Sequence, residues 1–408
     1  MALLLRAYRK LKSMQDRARI AVSALAPGSL VVRLFERSPD AGRAAPTSLL
    51  YMGAEAYAHE FGWLIAEPQA DPGPPLFRGS SLGFARSGTL RSMAESADMV
   101  IRQSRIGARP APEELVVKPF LDGRLPLEAS LQDQIARVRS KAHRRRMRAV
   151  LRSRDYRFTV GASAADFELF YSRMYEPYVR NRFGLRAQLD TRETLAALGG
   201  TTLIVFDKDA PVCGTLLLPP TREGVLGYHR NGFLGGAETW SAATMARRTA
   251  ALEVSVLRYA QAEGCRALDL GFTRSILNDG LFVHKRRLGC SFAAASYSPT
   301  FFIRVPPAAR PRVFAALPLA CVEKDGFVAH VGYEKATPPR AIRRWRPVVK
   351  SYAFPGVRRV VVHTDAPDGD SGRTSFETAL RAALDGTPLQ FVLDGDDRDA
   401  AQSKRRHR

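Results

Sequence analysis

ALDLGFTRSILNDGLFVHKRRLG, residues Ala267 to Gly289, is the stretch around which the rest of the chain can be ordered. Ala267 to Leu270 predict a short strand that closes on Asp269-Leu270-Gly271. A polar turn with Arg274, Ser275 and Asn278-Asp279-Gly280 comes next, then a short, basic, amphipathic helix that carries Lys285. A carboxylate, a guanidinium and an ammonium therefore fall beside one strand end. Strand ends with loops above them are where α/β proteins place their sites.

Upstream, Ala242 to Glu263 reads as a long helix that is apolar over more than half its circumference, the breadth of a helix packed on a sheet. Before it come strand patterns at Tyr156 to Gly161, Thr201 to Phe206, Val212 to Leu218 and Val225 to Asn231. The turn Asp207-Lys208-Asp209-Ala210 joins the second and third. Ala165 to Val179 predicts a helix with Phe167, Phe170, Tyr171, Met174 and Tyr178 on one face, and Thr191 to Leu198 a shorter one. Downstream, Phe292 to Ser298 and Phe301 to Val305 read as a pair of strands. The order is β-α-α-β-β-β-α-β-α-β-β, a mixed α/β pattern, not the strict alternation of a Rossmann fold. Neither GxGxxG nor GxxxxGK[ST] occurs, and there is no internal repeat.

Further upstream, Ser130 with Asp133 three residues on has the form of a helix N-cap. Leu131, Ile135, Val138, Ala142 and Ala149 make one apolar stripe through to Arg154. Arg137, Lys141, Arg144, Arg148 and Arg152 make a second, basic stripe. Between Arg137 and Arg154 stand nine Arg or Lys and no Asp or Glu. A helix that forgoes i,i+4 ion pairs in this way presents its charge to an anion, either an external one or an acidic groove of its own protein. Residues 1 to 128 are more weakly patterned, with strands at Leu30 to Phe35, Ser48 to Met52 and Met99 to Gln103, a turn-rich loop at Glu67 to Pro75, and a strand-like piece at Leu115 to Phe120. After Pro306 the chain changes character. Phe314 to Gly332 holds a helix-like piece and a strand pair around Asp325-Gly326, Ile342 to Arg346 is a basic patch, and Val357 to His363 is a further strand.

The 408 residues suffice for two or three domains, and 45% hydrophobic with 25% charged residues describes a folded chain. The net charge of +22 selects anionic partners: nucleic acid, a phosphorylated cofactor, an acidic carrier protein or an anionic membrane face. It is also what the Arg- and Ala-rich coding of a GC-rich genome produces. Cys213, Cys265, Cys290 and Cys321 are scattered, form no CxxC or Cys/His cluster, and lie in apolar segments. They read as buried small hydrophobes in a reducing compartment, without zinc or any other metal. The first 25 residues carry their charges after the apolar run, which is not the order of a secretory signal. They read as an amphipathic helix, at a membrane surface or at the start of the domain. No apolar run reaches spanning length, and a cytoplasmic location is expected.

The element order resembles the GNAT N-acyltransferase fold. In its details it is similar to the Fem-type branch, the FemAB-like peptidyltransferases. The resemblance rests on Asp269-Leu270-Gly271, Arg274-Ser275, and Asp279-Gly280-Leu281 followed by Lys285 and Gly289. It also rests on the basic helix Ser140 to Arg154 and on Tyr175-Glu176-Pro177-Tyr178-Val179-Arg180. It covers about 130 to 305, is weak before that span, and is poor beyond 310. It implies an α/β fold of two GNAT-like subdomains. The N-terminal one would span 1–128, and the second, 155–305, would come after the basic helix 129–154. An extension at 306–395 and a basic, disordered tail at 396–408 would complete the chain. Three departures stand out. The junction Asn231-Gly232-Phe233-Leu234-Gly235-Gly236-Ala237-Glu238-Thr239 has glycines without the basic pattern of a GNAT pyrophosphate loop. His284 occupies the place of an aromatic before the lysine, and the Arg-Ser pair sits two residues late.

The implied activity is transfer of an acyl or aminoacyl group from a thioester or ester to a primary amine, forming an amide. No tightly bound cofactor is expected. The donor would be acyl-CoA, an acyl carrier protein or aminoacyl-tRNA. Such chemistry needs a neutral amine and a stabilised oxyanion. Lys285 is the candidate charge for the oxyanion, and its alternative is a surface lysine of the Lys285-Arg286-Arg287 run. Asp269 either orients Lys285 or the substrate amine, or fixes its loop through backbone N–H groups. His229, on the strand that lines the acyl site in the resemblance, is a candidate general base or a packed histidine. Arg144, Arg145 and Arg148 are the foremost anion contacts. Arg182, Arg230 and Arg274 are further candidate substrate contacts, each with a solvated or structural alternative. Asp279 is first a turn residue and then a candidate acid. The competing class is a non-catalytic GNAT-like module that binds nucleic acid or an anionic membrane through the basic helix and tail.

Overall fold

The computed structural model describes residues 30–36, 48–54, 77–79, 88–104, 108–184, 189–235, 241–296, 298–324, 326–333, 352, 354–364 and 390–393. The expected first helix, the loop at Glu67 to Pro75, the basic patch at Ile342 to Arg346, the tail, and Gly236 to Thr239 of the glycine junction lie outside the described residues. The chain divides into two units. Among the described residues one, the site unit, is built from Asp122–Thr273 and Val283–Phe292; the other, the flanking unit, from those between Leu30 and Leu121, Arg274–Phe282 and those from Ala293 onward. Both are mixed α/β.

The flanking unit contains a six-stranded sheet of order β3-β1-β2-β4-β13-β5, formed by β1 (Leu30–Glu36), β2 (Ser48–Ala54), β3 (Phe77–Gly79), β4 (Met99–Gln103), β5 (Glu114–Val117) and β13 (Phe301–Arg304). One face buries Leu49, Tyr51, Met99, Ile101, Phe301 and Ile303 against Val313 and Phe314. The other packs Leu50 and Val100 against Met93 and Ala94. A second sheet, β14 (Leu319–Glu323), β15 (Gly326–Tyr333), β16 (Val357–Thr364) and β17 (Gln390–Leu393), includes the strand pair expected around Asp325-Gly326. The strand at 301–304 corrects the sequence reading twice. It does not pair with its neighbour at 291–294, and it belongs to the sheet of the N-terminal strands, antiparallel to both β4 and β5. The division between the units falls at Leu121/Asp122 and at Phe292/Ala293, where the sequence reading had placed boundaries near 128 and 305.

The site unit is a seven-stranded sheet of order β12-β6-β11-β10-β9-β8-β7. Its strands are β6 (Phe120–Pro126), β7 (Tyr156–Gly161), β8 (Thr201–Asp207), β9 (Ala210–Leu218), β10 (Val225–Phe233), β11 (Ala267–Arg274) and β12 (Ser291–Ala294). From β7 to β10 the neighbours are antiparallel, while β10 and β11 are parallel. The long helix Ala242–Ala262 supplies the crossover between the parallel pair, as a parallel connection requires. Its residues Ala250 to Leu257 are all buried, so it is enclosed on both sides. The order on which the GNAT resemblance rested is present from β7 to β12.

Two local readings change. The basic helix is two helices, Leu131–Arg137 and Lys141–Arg152, because Ser140 caps the second by accepting from the His143 N–H. The break resets the helical phase. In the second helix Met147 and Val150 are buried, and the stripe members Ala142 and Ala149 face solvent. The expected helix Ala165 to Val179 is Ala164–Glu168, a π-helical segment Leu169–Tyr175, and Glu176–Phe183. The wider turn brings Phe170, Tyr171, Met174 and Tyr175 all into the core. That segment lies against Gly232, where a Cβ would stand 2.5 Å from the Tyr175 nitrogen and 2.6 Å from the Met174 carbonyl carbon. Gly232→Ala should therefore cost about 1–3 kcal/mol or more in a denaturant melt, because backbone, not a side chain, must yield.

Candidate functional site

The parallel pair at the centre of the site unit is joined only briefly. Val225, Leu226 and Gly227 pair with Ala267, Leu268 and Asp269, and pairing then stops, although both strands continue. Beyond that point β10 stays with β9, through a register shift at His229 between Tyr228 and Arg230. β11 turns away at Gly271, whose φ of +71° is a left-handed conformation that glycine adopts without strain. Asp269 fixes the turn: its Oδ1 accepts the Gly271 N–H at 2.8 Å.

Lys285 completes this geometry from the helix Gly280–Leu288. Its Nζ donates to the carbonyl oxygens of Gly271 at 2.9 Å and Phe272 at 2.7 Å. In a straight strand consecutive carbonyls point opposite ways. The left-handed turn at Gly271 lets both meet one ammonium. The residue is 2% exposed, and its stem runs over Gly123, where a Cβ would be 3.1 Å from Lys285 Cδ. This corrects the expectation for Lys285. The ammonium that was to face a reacting carbonyl is buried and bonded to two carbonyls of the protein's own backbone, beside the point where β11 leaves β10. For Asp269 the loop-fixing alternative is the bond observed. Asp269 also lines, with Arg124, Leu218, Thr221, Glu223, Val225 and Gly227, a cleft of about 350 Å³ beside the last paired residues.

The remaining candidates separate. His229 is half-buried at the bulge of β10. Arg230 is engaged inside the protein, its Nε donating to Asp190 Oδ2 at 2.6 Å, so it ties β10 to the segment before Arg192–Ala197 and is not an open substrate contact. Arg182 is exposed and donates to the Tyr178 hydroxyl at 2.5 Å. Arg144 is half-buried and gives Nη1 to the Val138 carbonyl, closing the turn between the two basic helices. Arg145 and Arg148 are exposed, as are Lys141, Arg146 and Arg152. Arg274 and Asp279 belong to the flanking unit. Arg274 is half-buried. Asp279 Oδ1 accepts from the N–H groups of Leu281 and Phe282 at 2.9 and 3.1 Å, the helix-start role and not that of an acid. All four cysteines are buried and none is disulfide-bonded.

Sequence reasoning missed a buried, ionised carboxylate. Glu253, in the middle of the long helix, is 3% exposed. Its Oε2 is hydrogen-bonded by His143 Nε2 from the second basic helix, and its Oε1 lies 3.2 Å from His284 Nε2. Burial pushes the Glu253 carboxyl up, but the two imidazoles outweigh it and hold the group down at about 2. Burial likewise pushes His143 down, and the bond to Glu253 reverses this and raises it above its ordinary value. The signal was present as a single carboxylate within the run Ala250 to Leu257. His143, raised in the fold, contributes stability that is complete below its ordinary value of 6.5 and is lost as pH rises through its folded value. Glu253, depressed, contributes stability present above 4.5 and lost as pH falls towards about 2. The melting temperature should accordingly decline from pH 6 to pH 9, and His143→Gln should flatten that limb.

Among the described residues no helix is long and apolar enough to cross a membrane, and no group of three or more His, Cys, Asp or Glu is arranged to hold a metal ion. No family model matches the chain, and no curated protein matches it in sequence. Similar solved structures include the L-PGS protein of Bacillus licheniformis, 11% identical over 70% of this chain and 91% of that one, with a TM-score of 0.31. The C-terminal domain of a putative lysylphosphatidylglycerol synthetase of Agrobacterium fabrum is 12% identical over 73% and 94%, TM-score 0.31. A tandem GNAT protein from the clavulanic acid biosynthesis pathway is 13% identical over 70% and 86%, TM-score 0.27. Likeness at this level does not carry an activity across to this chain.

Proposed function

We propose that this chain transfers an acyl or aminoacyl group from a thioester or ester donor to a primary amine, at the divergence of β10 and β11, in the manner of the Fem-type branch of the GNAT enzymes. The observation that carries the reading is the divergence itself. Two parallel strands that pair over three residues and then part leave backbone N–H and C=O groups along their facing edges. An extended donor arm rich in amides can bond to such an edge as an added strand would. Backbone N–H groups held there are preorganised for the oxyanion that forms at the acyl carbon, a task for which Lys285 is no longer available. The cleft with Asp269, Glu223 and Arg124 suits an acceptor that brings an ammonium and a negative group together.

The donor is acyl-CoA, an acyl carrier protein or aminoacyl-tRNA. Arg145 and Arg148 on the exposed basic face are its anion contacts, and the reaction takes place in the cytoplasm. Thiol release across a panel of acyl-CoA and acyl-carrier donors, beside deacylation of aminoacyl-tRNA, tests the reading. Mass spectrometry of the product identifies the amide. A panel in which no donor is consumed and no amide is formed, with tRNA or anionic vesicles bound all the same, would establish the alternative: a binding module that uses the same scaffold without chemistry.

A further inference from the structure

Glu253 lies where three elements meet. His143 reaches it from the second basic helix, with Arg146 next along that helix. His284 reaches it from the helix Gly280–Leu288, which also carries Lys285 and Arg287. Tyr228, the β10 residue directly after the last residue paired with β11, is buried and feels the Glu253 charge, as does the buried Cys290. The two histidines are not equivalent. His143 is 15% exposed and His284 is 38% exposed. His143 Nε2 is hydrogen-bonded to Glu253 Oε2, while His284 Nε2 lies 3.2 Å from Oε1, within ion-pair distance but outside hydrogen-bond geometry, so a small rotation of the ring would pair its Nε2–H with that acceptor. For His284 this leaves Nδ1 as the lone-pair nitrogen, and among the described residues nothing is hydrogen-bonded to it. A buried, ionised carboxylate behind one ring nitrogen, with the other nitrogen open, is the arrangement that orients an imidazole for proton transfer and stabilises the imidazolium it becomes. Glu253, which faces His284, also acts on Tyr228 beside the divergence. His284 directly precedes Lys285, whose ammonium is bound to the part of β11 that has left β10.

We propose that His284, oriented by Glu253, is the proton acceptor of this site, with Nδ1 as the accepting atom and His143 as the second, structural partner of the carboxylate. The assignment rests on the acyl-transfer reading above. The neutral amine attacks the acyl carbon and the C–N bond forms. The proton of the amine nitrogen passes to His284 Nδ1, the C–S or C–O bond to the donor breaks, and the proton goes on to the departing sulfur or oxygen. His229 then has no proton-transfer role. The residue standing where relatives of the resemblance carry an aromatic becomes the functional difference of this chain.

The test has two arms. With whichever donor the wild type consumes, His284→Ala should lower kcat at least 100-fold with KM changed less than threefold. It should also remove the acidic limb of the pH–rate profile, and added imidazole should restore part of kcat. Wild-type kcat and pH profile in that variant overturn the proposal. The second arm needs no turnover and separates failure of this assignment from failure of the acyl-transfer reading. Diethyl pyrocarbonate modification is mapped by mass spectrometry at pH 8, below the melting temperature of each protein. His284 should be carbethoxylated at least tenfold faster than His143, and Glu253→Gln should slow His284 several-fold. A His284 that reacts no faster than His143, or at an unchanged rate in Glu253→Gln, overturns the proposal even where no donor is consumed.

Discussion

Glu253→Ala is expected to destabilise the site unit by about 3–5 kcal/mol, the largest loss of any single substitution of a polar side chain in it. The magnitude comes from the groups left behind. The carboxylate is 3% exposed and faces two imidazoles, so its removal strands His143 Nε2 in the interior and leaves a void beside a helix enclosed on both sides. Glu253→Gln keeps the volume and one acceptor oxygen, and should lose less, about 1–3 kcal/mol, because one imidazole keeps a partner. Glu253→Leu discriminates further. If the triad serves only stability, an apolar side chain of similar size recovers much of the loss, as replaced buried ion pairs often do. If the carboxylate is kept for its effect on His284, Leu recovers the melting temperature and not the activity. Chemical denaturation of all three variants at pH 6 measures the series. A loss below about 1 kcal/mol for Glu253→Ala would mean that the interior rearranges to solvate both rings, and that the carboxylate does not hold them.

The parts of this fold that could be read from sequence are those set by local chemistry. Asp269-Leu270-Gly271 announced a turn fixed by a side-chain acceptor and a glycine, and the structure has that turn, with a positive φ at Gly271. The strands β8 and β9 were equally plain, as apolar runs on either side of the turn Asp207-Lys208-Asp209-Ala210, the form of strands buried on both faces. What local chemistry cannot supply is the identity of distant partners. Phe301–Arg304 looked like the mate of Ser291–Ala294 because the two are neighbours in the chain; its true neighbours, β4 and β5, lie about two hundred residues away. The basic helix read as unbroken because Val138 and Ala142 continue a helical period, while the competing cap at Ser140 is a single residue. Glu253 escaped because a carboxylate in an apolar run looks like an exception until its two histidines, 110 residues before and 31 after, are brought to it.

Lys285→Ala is expected to act on the fold before it acts on any reaction, which reverses the reading of this residue as a free charge beside a substrate. The ammonium donates to two backbone carbonyls that the turn at Gly271 aims at it, and its loss removes both bonds at a cost of about 1–3 kcal/mol each. A total of about 2–4 kcal/mol is expected, against less than about 0.5 kcal/mol for a solvated surface lysine. Lys285→Arg should not rescue it. A planar fork is a poor replacement for a compact ammonium, and Gly123 already stands 3.1 Å from Cδ where its own Cβ would begin. The informative comparison is between stability and turnover. A catalytic lysine, once removed, leaves the melting curve in place and lowers kcat alone. Removing a lysine that fixes β11 where it leaves β10 lowers the melting temperature, and raises amide hydrogen exchange at Gly271 and Phe272. It also weakens donor binding together with kcat, because the edges on which the donor would lie no longer keep their distance. Gly123→Ala, which presses on the same stem without touching the ammonium, should reproduce the same coupled losses at smaller amplitude. Loss of kcat in Lys285→Ala with an unchanged melting curve would return Lys285 to the chemistry and require its ammonium to leave the two carbonyls during turnover.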